Sequence, residues 1–286
     1  MMATSTSIPI GDIEVACTAV GDGTPLVVVH GAIGLGAAYM RGLDRWADTF
    51  RLVYYDQRGS GATPLGDPGK VSFAGGIEDL DRLRAALGID RVNLVGHSAG
   101  AILAALYAGS HPESTSSVVL LNAAPPLIPE LHQAQMHNMA ARRTAEDNAV
   151  RKSIEESLEF QAGDPGALER HQLNTFIPFF RDRSTMEAVT LGFTEITAAN
   201  VQAAPGRMFG TIGALDPMRT FAGIKCPAVV VHSELDPVPV AWAHALVDTI
   251  PGADFVLLDG AGHFPHVEDA DQLEDTVLPW LSKHVP

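Results

Sequence analysis

The amino-acid sequence predicts an α/β fold with a mostly parallel central sheet, helices on both of its faces and a helical insertion. Short, continuously apolar runs recur along the chain, which is typical of strands that are buried on both faces of a parallel sheet. Helix-like stretches separate several of these runs, as the crossover connections of a parallel sheet require. The runs are Leu26–Val29, Leu52–Tyr55, Val92–Val95, Val118–Leu121, Ala228–Val231 and Phe255–Leu258.

Other signals place further elements of the predicted core. Residues 77–87, 99–110 and 240–250 have helix-like composition. Residues 8–20 are expected to form a hairpin with Gly11 and Asp12 in its turn, which adds antiparallel strands at one edge of the sheet. The predicted core spans residues 1–124 and 216–286.

The alternation of strands and helices stops between Pro125 and about Leu215. Pro125, Pro126 and Pro129 end the strand region, and the residues that follow are helical in composition over 130–143, 145–160 and 165–174. Ligands of open α/β sheets bind beyond the carboxyl ends of the strands, and the insertion leaves the sheet at that edge. Residues 125–215 are therefore predicted to form a helical lid over the substrate pocket, although a plain cover for one end of the sheet stays open.

Composition and charge limit the classes of partner that the chain is expected to bind. Its 286 residues are 46% hydrophobic and 19% charged, which is typical of a globular protein. Its 34 acidic and 19 basic residues give a net charge of −15, which disfavours nucleic acid and anionic membrane surfaces as partners. No secretory signal or bilayer-spanning run is visible, so we expect a soluble, cytoplasmic protein. Cys17 and Cys226 are expected to be reduced, structural residues.

The residues Gly96-His97-Ser98-Ala99-Gly100 follow a predicted strand and precede a predicted helix. This is the G-x-S-x-G motif in the strand–turn–helix context that it requires. A sharp turn lifts the serine hydroxyl clear of the sheet, and the flanking glycines leave room for that turn. Ser98 is therefore the predicted nucleophile.

A serine nucleophile needs a neighbouring base, and position selects it from the 11 histidines of the chain. His263 stands in a glycine-containing loop directly after the last predicted strand, where it can reach over the sheet to Ser98. Three rivals are less suitable. His97 is expected to point away from Ser98, His232 lies within a strand, and His266 is expected to be a surface or capping residue of the next helix.

A third residue must orient the base and stabilise its protonated form. Asp236 lies in the loop after the strand Ala228–Val231, with Glu234 as its only close competitor. The strand that ends at Leu121 is followed by Asn122 rather than an acid, which removes the usual alternative position. The order Ser, Asp, His along the chain is the one expected for this kind of fold.

Two backbone N–H groups are predicted to stabilise the oxyanion. One belongs to Ala99, the residue after the nucleophile, and the other to Ala32 in the loop His30-Gly31-Ala32-Ile33-Gly34, with Ile33 as the next choice. The glycines of this loop fit neither the dinucleotide-binding nor the P-loop spacing. No metal-binding motif is present either, so no cofactor and no metal are expected.

These motifs together resemble the α/β-hydrolase superfamily, essentially from end to end. The run Asp56-Gln57-Arg58-Gly59-Ser60-Gly61 is similar to the proline iminopeptidase branch, and this resemblance implies a cap-covered serine enzyme with aminopeptidase activity. Two departures weaken that implication. The oxyanion loop reads His-Gly-Ala-Ile-Gly rather than His-Gly-Gly-Pro-Gly, and the nucleophile motif resembles those of esterases, lactonases and carbon–carbon bond hydrolases. Family members with an aspartate nucleophile are excluded by Ser98.

The favoured prediction is a serine hydrolase that cleaves a small-molecule ester or lactone through an acyl-enzyme on Ser98. A proline iminopeptidase-like aminopeptidase remains the alternative, and it needs a carboxylate in the pocket to bind the free amine. The candidates for that carboxylate are Glu155, Glu156, Glu159, Glu187 and Glu195. A ligand-binding, non-hydrolytic member of the fold is the third possibility.

Overall fold

A computed structural model describes residues 3–32, 34–125 and 128–285. Its strands are β1 (Thr4–Ile10), β2 (Ile13–Val20), β3 (Thr24–Val29), β4 (Phe50–Tyr55), β5 (Val92–His97), β6 (Thr115–Leu121), β7 (Ala228–Ser233) and β8 (Asp254–Leu258). Its α-helices are α1 (Phe73–Ala86), α2 (Ala99–Ser110), α3 (Pro129–Ala141), α4 (Ala145–Glu155), α5 (Leu158–Gln161), α6 (Pro165–Phe176), α7 (Glu195–Asn200), α8 (Ala204–Gly210), α9 (Pro217–Phe221), α10 (Val240–Thr249), α11 (Pro265–Glu268) and α12 (Ala270–His284). The longest 3-10 helix is Ala37–Asp48.

The eight strands form one sheet in the order β1-β2-β4-β3-β5-β6-β7-β8. Strands β3 to β8 are parallel to one another, and the β1–β2 hairpin pairs antiparallel at one edge. Both features confirm the predicted fold class, and Gly11 and Asp12 form the turn of the hairpin as expected. The carboxyl ends of β3, β5, β6 and β7 therefore lie side by side, which is where the candidate site residues follow them.

Two apolar layers cover the sheet, and single strands contribute to both. In β3, Leu26 and Val28 belong to the layer that includes the 3-10 helix Ala37–Asp48 and α12, whereas Val27 and Val29 belong to the layer of α1, α2 and α10. This is the reason that the sequence of such strands is continuously apolar rather than alternating. Burial on both faces fixes β3, and with it the position of the loop that follows.

Predicted helices differ from the observed ones mainly at their ends. Helix α1 begins at Phe73, four residues before the predicted start, because the side chain of Ser72 caps it by accepting a hydrogen bond from the Gly75 N–H. The predicted helix over 145–160 is two helices, since Ser157 caps a new helix by accepting from the N–H of Phe160. Cys17 and Cys226 are buried free thiols.

Between β6 and β7 the described residues form no strand, and α3 to α9 occupy this part of the chain. We call residues 125–215 the insertion. Helix α3 contains no buried residue, whereas α2 beneath the sheet edge buries Ala99 to Ala108. No helix in the described part of the chain is long and apolar enough to cross a membrane.

Candidate active site

Ser98 occupies a strained turn between β5 and α2. Its φ of 56° and ψ of −123° lie in a region that costs a non-glycine residue about 1–3 kcal/mol. The neighbouring glycines explain how the turn fits. A Cβ at residue 100 would lie 2.1 Å from the Val29 carbonyl oxygen, and one at residue 96 would lie 2.5 Å from the Gly100 carbonyl oxygen. The sequence therefore folds here into a turn that no larger residues at these two positions would allow.

Asp236 and His263 form a buried hydrogen-bonded pair. His263 Nδ1 lies 2.7 Å from Asp236 Oδ2, and since a carboxylate can only accept, Nδ1 carries the proton. The same carboxylate accepts from Asn122 Nδ2 at 2.6 Å and from the Val238 N–H at 2.8 Å. Burial opposes ionisation of Asp236, but His263 and the amide of Asn122 outweigh it and lower the pKa of the carboxyl. This arrangement leaves His263 Nε2 as the ring nitrogen that can take up a proton.

The loop that carries His263 also contacts the insertion. The His263 N–H donates to the carbonyl of Phe179 at 2.8 Å, and the Phe179 ring lies 4.7 Å from the imidazole. Among the described residues, Ser98 Oγ and His263, the nucleophile and base that the sequence predicts, form no hydrogen bond to each other. Catalytic hydrogen bonds are often long in free enzymes and shorten when substrate binds.

The loop after β3 packs directly against the Ser98 turn. A Cβ on Gly31 would lie 2.7 Å from Ser98 Cβ and 3.2 Å from the Ala99 nitrogen, so only glycine permits this approach. The Gly31 N–H is already bound to the Tyr39 hydroxyl, at 2.7 Å. Ala32 follows with a φ of 41°, and its N–H has no acceptor among the described residues. Ala99 is the first residue of α2, where the N–H has no intrahelical partner. Ile33, the other candidate, lies outside the described residues.

A cavity of about 450 Å³ opens over Ser98. The core contributes Ala32, Ser98 and Ala99 to its wall, and most of the remainder comes from the insertion. The side chains from the insertion are apolar or polar: Pro125, His132, Gln135, Met136, Met139, Gln172, Thr175, Phe176, Phe179, Val201, Pro205 and Phe209. No Asp, Glu, Lys or Arg is among the described residues that line it. All five glutamates that were candidates for binding an amine are exposed.

Residues 24–270 match the family described as the alpha/beta hydrolase fold. The chain belongs to this family. It is 29% identical to a proline iminopeptidase of Clostridium botulinum, over 94% of this chain and 92% of that protein. Two solved structures are similar in fold: the proline iminopeptidase of Mycobacterium smegmatis (TM-score 0.72, 21% identity, 98% of both chains) and the enol-lactonase of Burkholderia xenovorans LB400 (TM-score 0.66, 22% identity, 97% of this chain and 100% of that one).

In this hydrolase the run from Asp56 to Gly61 braces loops. Asp56 accepts from the N–H groups of Ala37 and Ala62, at 2.7 and 2.8 Å. The Gln57 N–H donates to His30 Nε2 at 3.0 Å, which fixes the start of the loop that carries Ala32. Arg58 is buried and binds both Asp79 oxygens at 2.9 Å. The residues of the iminopeptidase-like run thus support the site from behind, and none of them lines the cavity over Ser98.

One sequence prediction about the histidines of the hydrolase needs correction. His266 is not a surface residue but is 1% exposed, because α11 packs under the 3-10 helix and His266 Nε2 donates to the Tyr39 carbonyl at 3.1 Å. His97, which the sequence predicts to point away from Ser98, lies beside His263, with ring centroids 4.8 Å apart. Burial lowers the pKa of His97 well below its ordinary value, and burial lowers that of His266 to about 3.

The role of Asn122 is not predicted by the sequence. In the sequence, Asn122 marks only the absence of an acid after β6, yet its side-chain amide is a direct hydrogen-bond partner of Asp236. Its φ of 46° is unusual for a residue other than glycine, although asparagine tolerates it better than most. The position of Asn122 could have indicated this contact. Asn122 follows β6 and Asp236 follows β7, and the carboxyl ends of these two neighbouring strands lie side by side. In the described residues, no group of His, Cys, Asp and Glu side chains could hold a metal ion.

Proposed function

We propose that this hydrolase cleaves uncharged carboxylic esters or lactones through an acyl-enzyme on Ser98. The observation that carries the proposal is the cavity over Ser98, whose described wall is largely apolar and contains no carboxylate. A free amine entering this space would lose its hydration without gaining a carboxylate partner. An uncharged acyl group would meet Phe176, Phe179 and Phe209 at no such cost.

In the proposed mechanism Ser98 attacks the substrate carbonyl carbon while His263 Nε2 accepts the hydroxyl proton. Asp236 keeps the imidazole oriented and stabilises the imidazolium. The oxyanion of the tetrahedral intermediate accepts hydrogen bonds from the N–H groups of Ala32 and Ala99. His263 returns the proton to the leaving alcohol oxygen, and a water then cleaves the acyl-enzyme by the same steps in reverse order.

We propose further that residues 125–215 act as a lid that selects the acyl group. The insertion supplies most of the cavity wall, including Met136 and Met139 from α3 and Gln172 from α6. Methionine side chains adapt their shape to a ligand, and glutamine amides can bind an uncharged polar substituent.

An aminopeptidase with an iminopeptidase-like specificity is the second candidate. The name of the relative from Clostridium botulinum favours it. The five candidate glutamates of the insertion argue against it, because each is exposed in this structure and none lines the cavity. The resemblance of the run from Asp56 to Gly61 does not distinguish the two activities, since none of these residues lines the cavity and Gln57 braces the loop of Ala32, which either activity would need.

The deciding experiment compares p-nitrophenyl butyrate with proline p-nitroanilide as substrates of the wild type and of Ser98→Ala. We expect turnover of the ester by the wild type and loss of turnover in the variant, by about 10⁴-fold or more. Ser117→Ala is the matched control, since Ser117 is a buried serine that lies away from the cavity, near the opposite end of the neighbouring strand β6. A preference for the prolyl anilide would replace the ester proposal with the aminopeptidase. Binding without turnover of either substrate would favour a non-hydrolytic member of the fold.

A further inference from the structure

A chain of three buried hydrogen bonds connects the oxyanion loop to the loop that carries the base. The Gly31 nitrogen lies 2.7 Å from the Tyr39 hydroxyl, the hydroxyl lies 2.9 Å from His97 Nδ1, and His97 Nε2 lies 2.8 Å from the carbonyl oxygen of His263. Tyr39 and His97 are 3% and 1% exposed. The chain therefore runs through two buried side chains whose hydrogen bonds are shielded from solvent.

The direction of every bond in this chain is determined by its two ends. The Gly31 N–H can only donate and the His263 carbonyl can only accept, so the Tyr39 hydroxyl accepts at one end and His97 Nε2 carries a proton and donates at the other. In a neutral ring Nδ1 then has no proton, and it accepts the hydroxyl proton of Tyr39. This tautomer of His97 satisfies all three bonds, and the other tautomer breaks the bond to His263.

We propose that Tyr39 and His97 are positioning residues that hold the Ala32 N–H and the His263 ring at a fixed separation on either side of Ser98. Neither residue lines the cavity or touches the reacting atoms. Each acts through its neighbour: Tyr39 holds the backbone of Gly31, one residue before Ala32, and His97 holds the backbone of His263 itself. This inference rests on the proposed function, because it assigns work to the oxyanion loop and the base of that site.

The surroundings of His97 keep its ring neutral, as this role requires. The titratable groups that face it are His263, His266 and Tyr39, with ring centroids at 4.8, 5.2 and 5.6 Å. A second positive charge beside His263 would repel the imidazolium that forms during the reaction. The Tyr39 hydroxyl and the His263 carbonyl together satisfy a neutral imidazole, and neither offers a negative charge to a protonated one.

The test uses two tyrosines that differ in one respect. Tyr39 and Tyr55 are both 3% exposed, but the Tyr55 hydroxyl has no hydrogen-bond partner among the described residues. Tyr39→Phe should lower kcat for p-nitrophenyl butyrate by about 10-fold or more with KM within about twofold, since the lost interaction positions groups that act in the transition state. Tyr55→Phe should leave both constants within about twofold. Equal effects of the two variants would overturn the proposal.

A double-mutant cycle separates positioning from loss of packing. His97→Gln retains a donor where Nε2 stood but loses the acceptor for Tyr39, so it should retain more activity than His97→Ala. Adding Tyr39→Phe to His97→Ala should cost little further activity, because the chain of bonds is already broken. Fully additive losses in kcat would contradict a connected chain.

The tautomer gives a readout that requires neither a variant nor a substrate. In the ¹⁵N-labelled wild type, His97 should carry its proton on Nε2, with a slowly exchanging N–H resonance. A proton on Nδ1 would refute the proposed direction of the bonds even if the variants fail to fold. If the wild type hydrolyses no ester, the proposed function fails while this measurement still reports on the hydrogen-bond chain.

Discussion

The loops at the carboxyl edge of the sheet and the helices of the insertion form opposite walls of the same cavity, but they differ in how they are held. Asp236 alone accepts three hydrogen bonds from buried neighbours, and α2 behind Ser98 buries Ala99 to Ala108. Helix α3 across the cavity has no buried residue, and Met136 on it is 50% exposed. We therefore propose that the two walls divide the work: the sheet edge fixes Ser98, Asp236 and His263, and α3 presents a loosely packed surface to the substrate.

The largest effect should come from the most tightly held residue of the sheet edge. Asp236→Asn replaces an acceptor with an amide that can present a donor to His263 Nδ1, so the ring loses its orientation and favours the wrong tautomer. The same exchange in a serine-protease triad costs about 10⁴-fold in kcat, and we expect a loss of that order for p-nitrophenyl butyrate. Glu234→Gln is the control, since the exposed Glu234 binds the Gly260 N–H and no other group of the described residues. Similar losses in both variants would show that Asp236 has no special role.

Ion pairs of the core and of the insertion should differ in how much they contribute to the free energy of unfolding. Arg58 is 4% exposed in its pair with Asp79, so Arg58→Gln leaves that buried carboxylate only the longer ion pair with Arg82, at 3.8 Å, and should cost about 3–5 kcal/mol in the free energy of unfolding. In the insertion, Arg151 pairs with Glu155 on the surface of α4, and Arg151→Gln should cost about 0.5 kcal/mol or less. Urea unfolding followed by circular dichroism measures both. Comparable losses would contradict the difference between the two regions.

The residues that could be predicted from the sequence belong to the sheet edge. Ser98 is recognisable because its turn requires glycines on both sides, and Asp236 and His263 because parallel strands deliver the residues that follow them to one edge. Asn122 and His97 could not be assigned in this way. Their roles depend on which loops pack together across long sequence separations, 114 residues for Asn122 and Asp236. The exposure of the insertion glutamates could not be predicted either, because it depends on how the insertion helices pack against the rest of the chain.

Burial of neutral histidines at the sheet edge should make the stability of the protein sensitive to acid. The pKa of His266 is about 3 in the folded state against 6.5 when exposed, so the unfolded chain binds a proton that the folded chain does not. Its contribution to stability is complete above about pH 6.5 and declines as the pH falls, reaching a loss of about 2 kcal/mol at pH 5. Glu268 acts in the opposite direction, because burial raises its pKa and protonation at low pH relieves that cost.

His266→Gln isolates this contribution, since a glutamine amide can still donate to the Tyr39 carbonyl. The free energy of unfolding should fall less between pH 7.5 and pH 5 in the variant than in the wild type, by about 2 kcal/mol. The exposed His137 supplies a control, and His137→Gln should keep the pH dependence of the wild type. An unchanged pH dependence in His266→Gln would mean that His266 is protonated in the folded protein.

The smallest effect should be a change of preference rather than of stability, and it should arise in the insertion. Gln135 and Gln133 both lie on α3, but only Gln135 lines the cavity, whereas Gln133 is exposed. Gln135→Glu places a carboxylate where a free amine of the substrate could bind, so the ratio of kcat/KM for proline p-nitroanilide to that for p-nitrophenyl butyrate should rise about 5- to 10-fold. Gln133→Glu adds the same charge outside the cavity and should leave the ratio unchanged.

Neither variant should alter the free energy of unfolding by more than about 0.5 kcal/mol, because nothing on α3 is buried. A large loss of stability in Gln135→Glu alone would mean that the insertion is held as tightly as the sheet edge, and the division of work between the two walls would no longer stand.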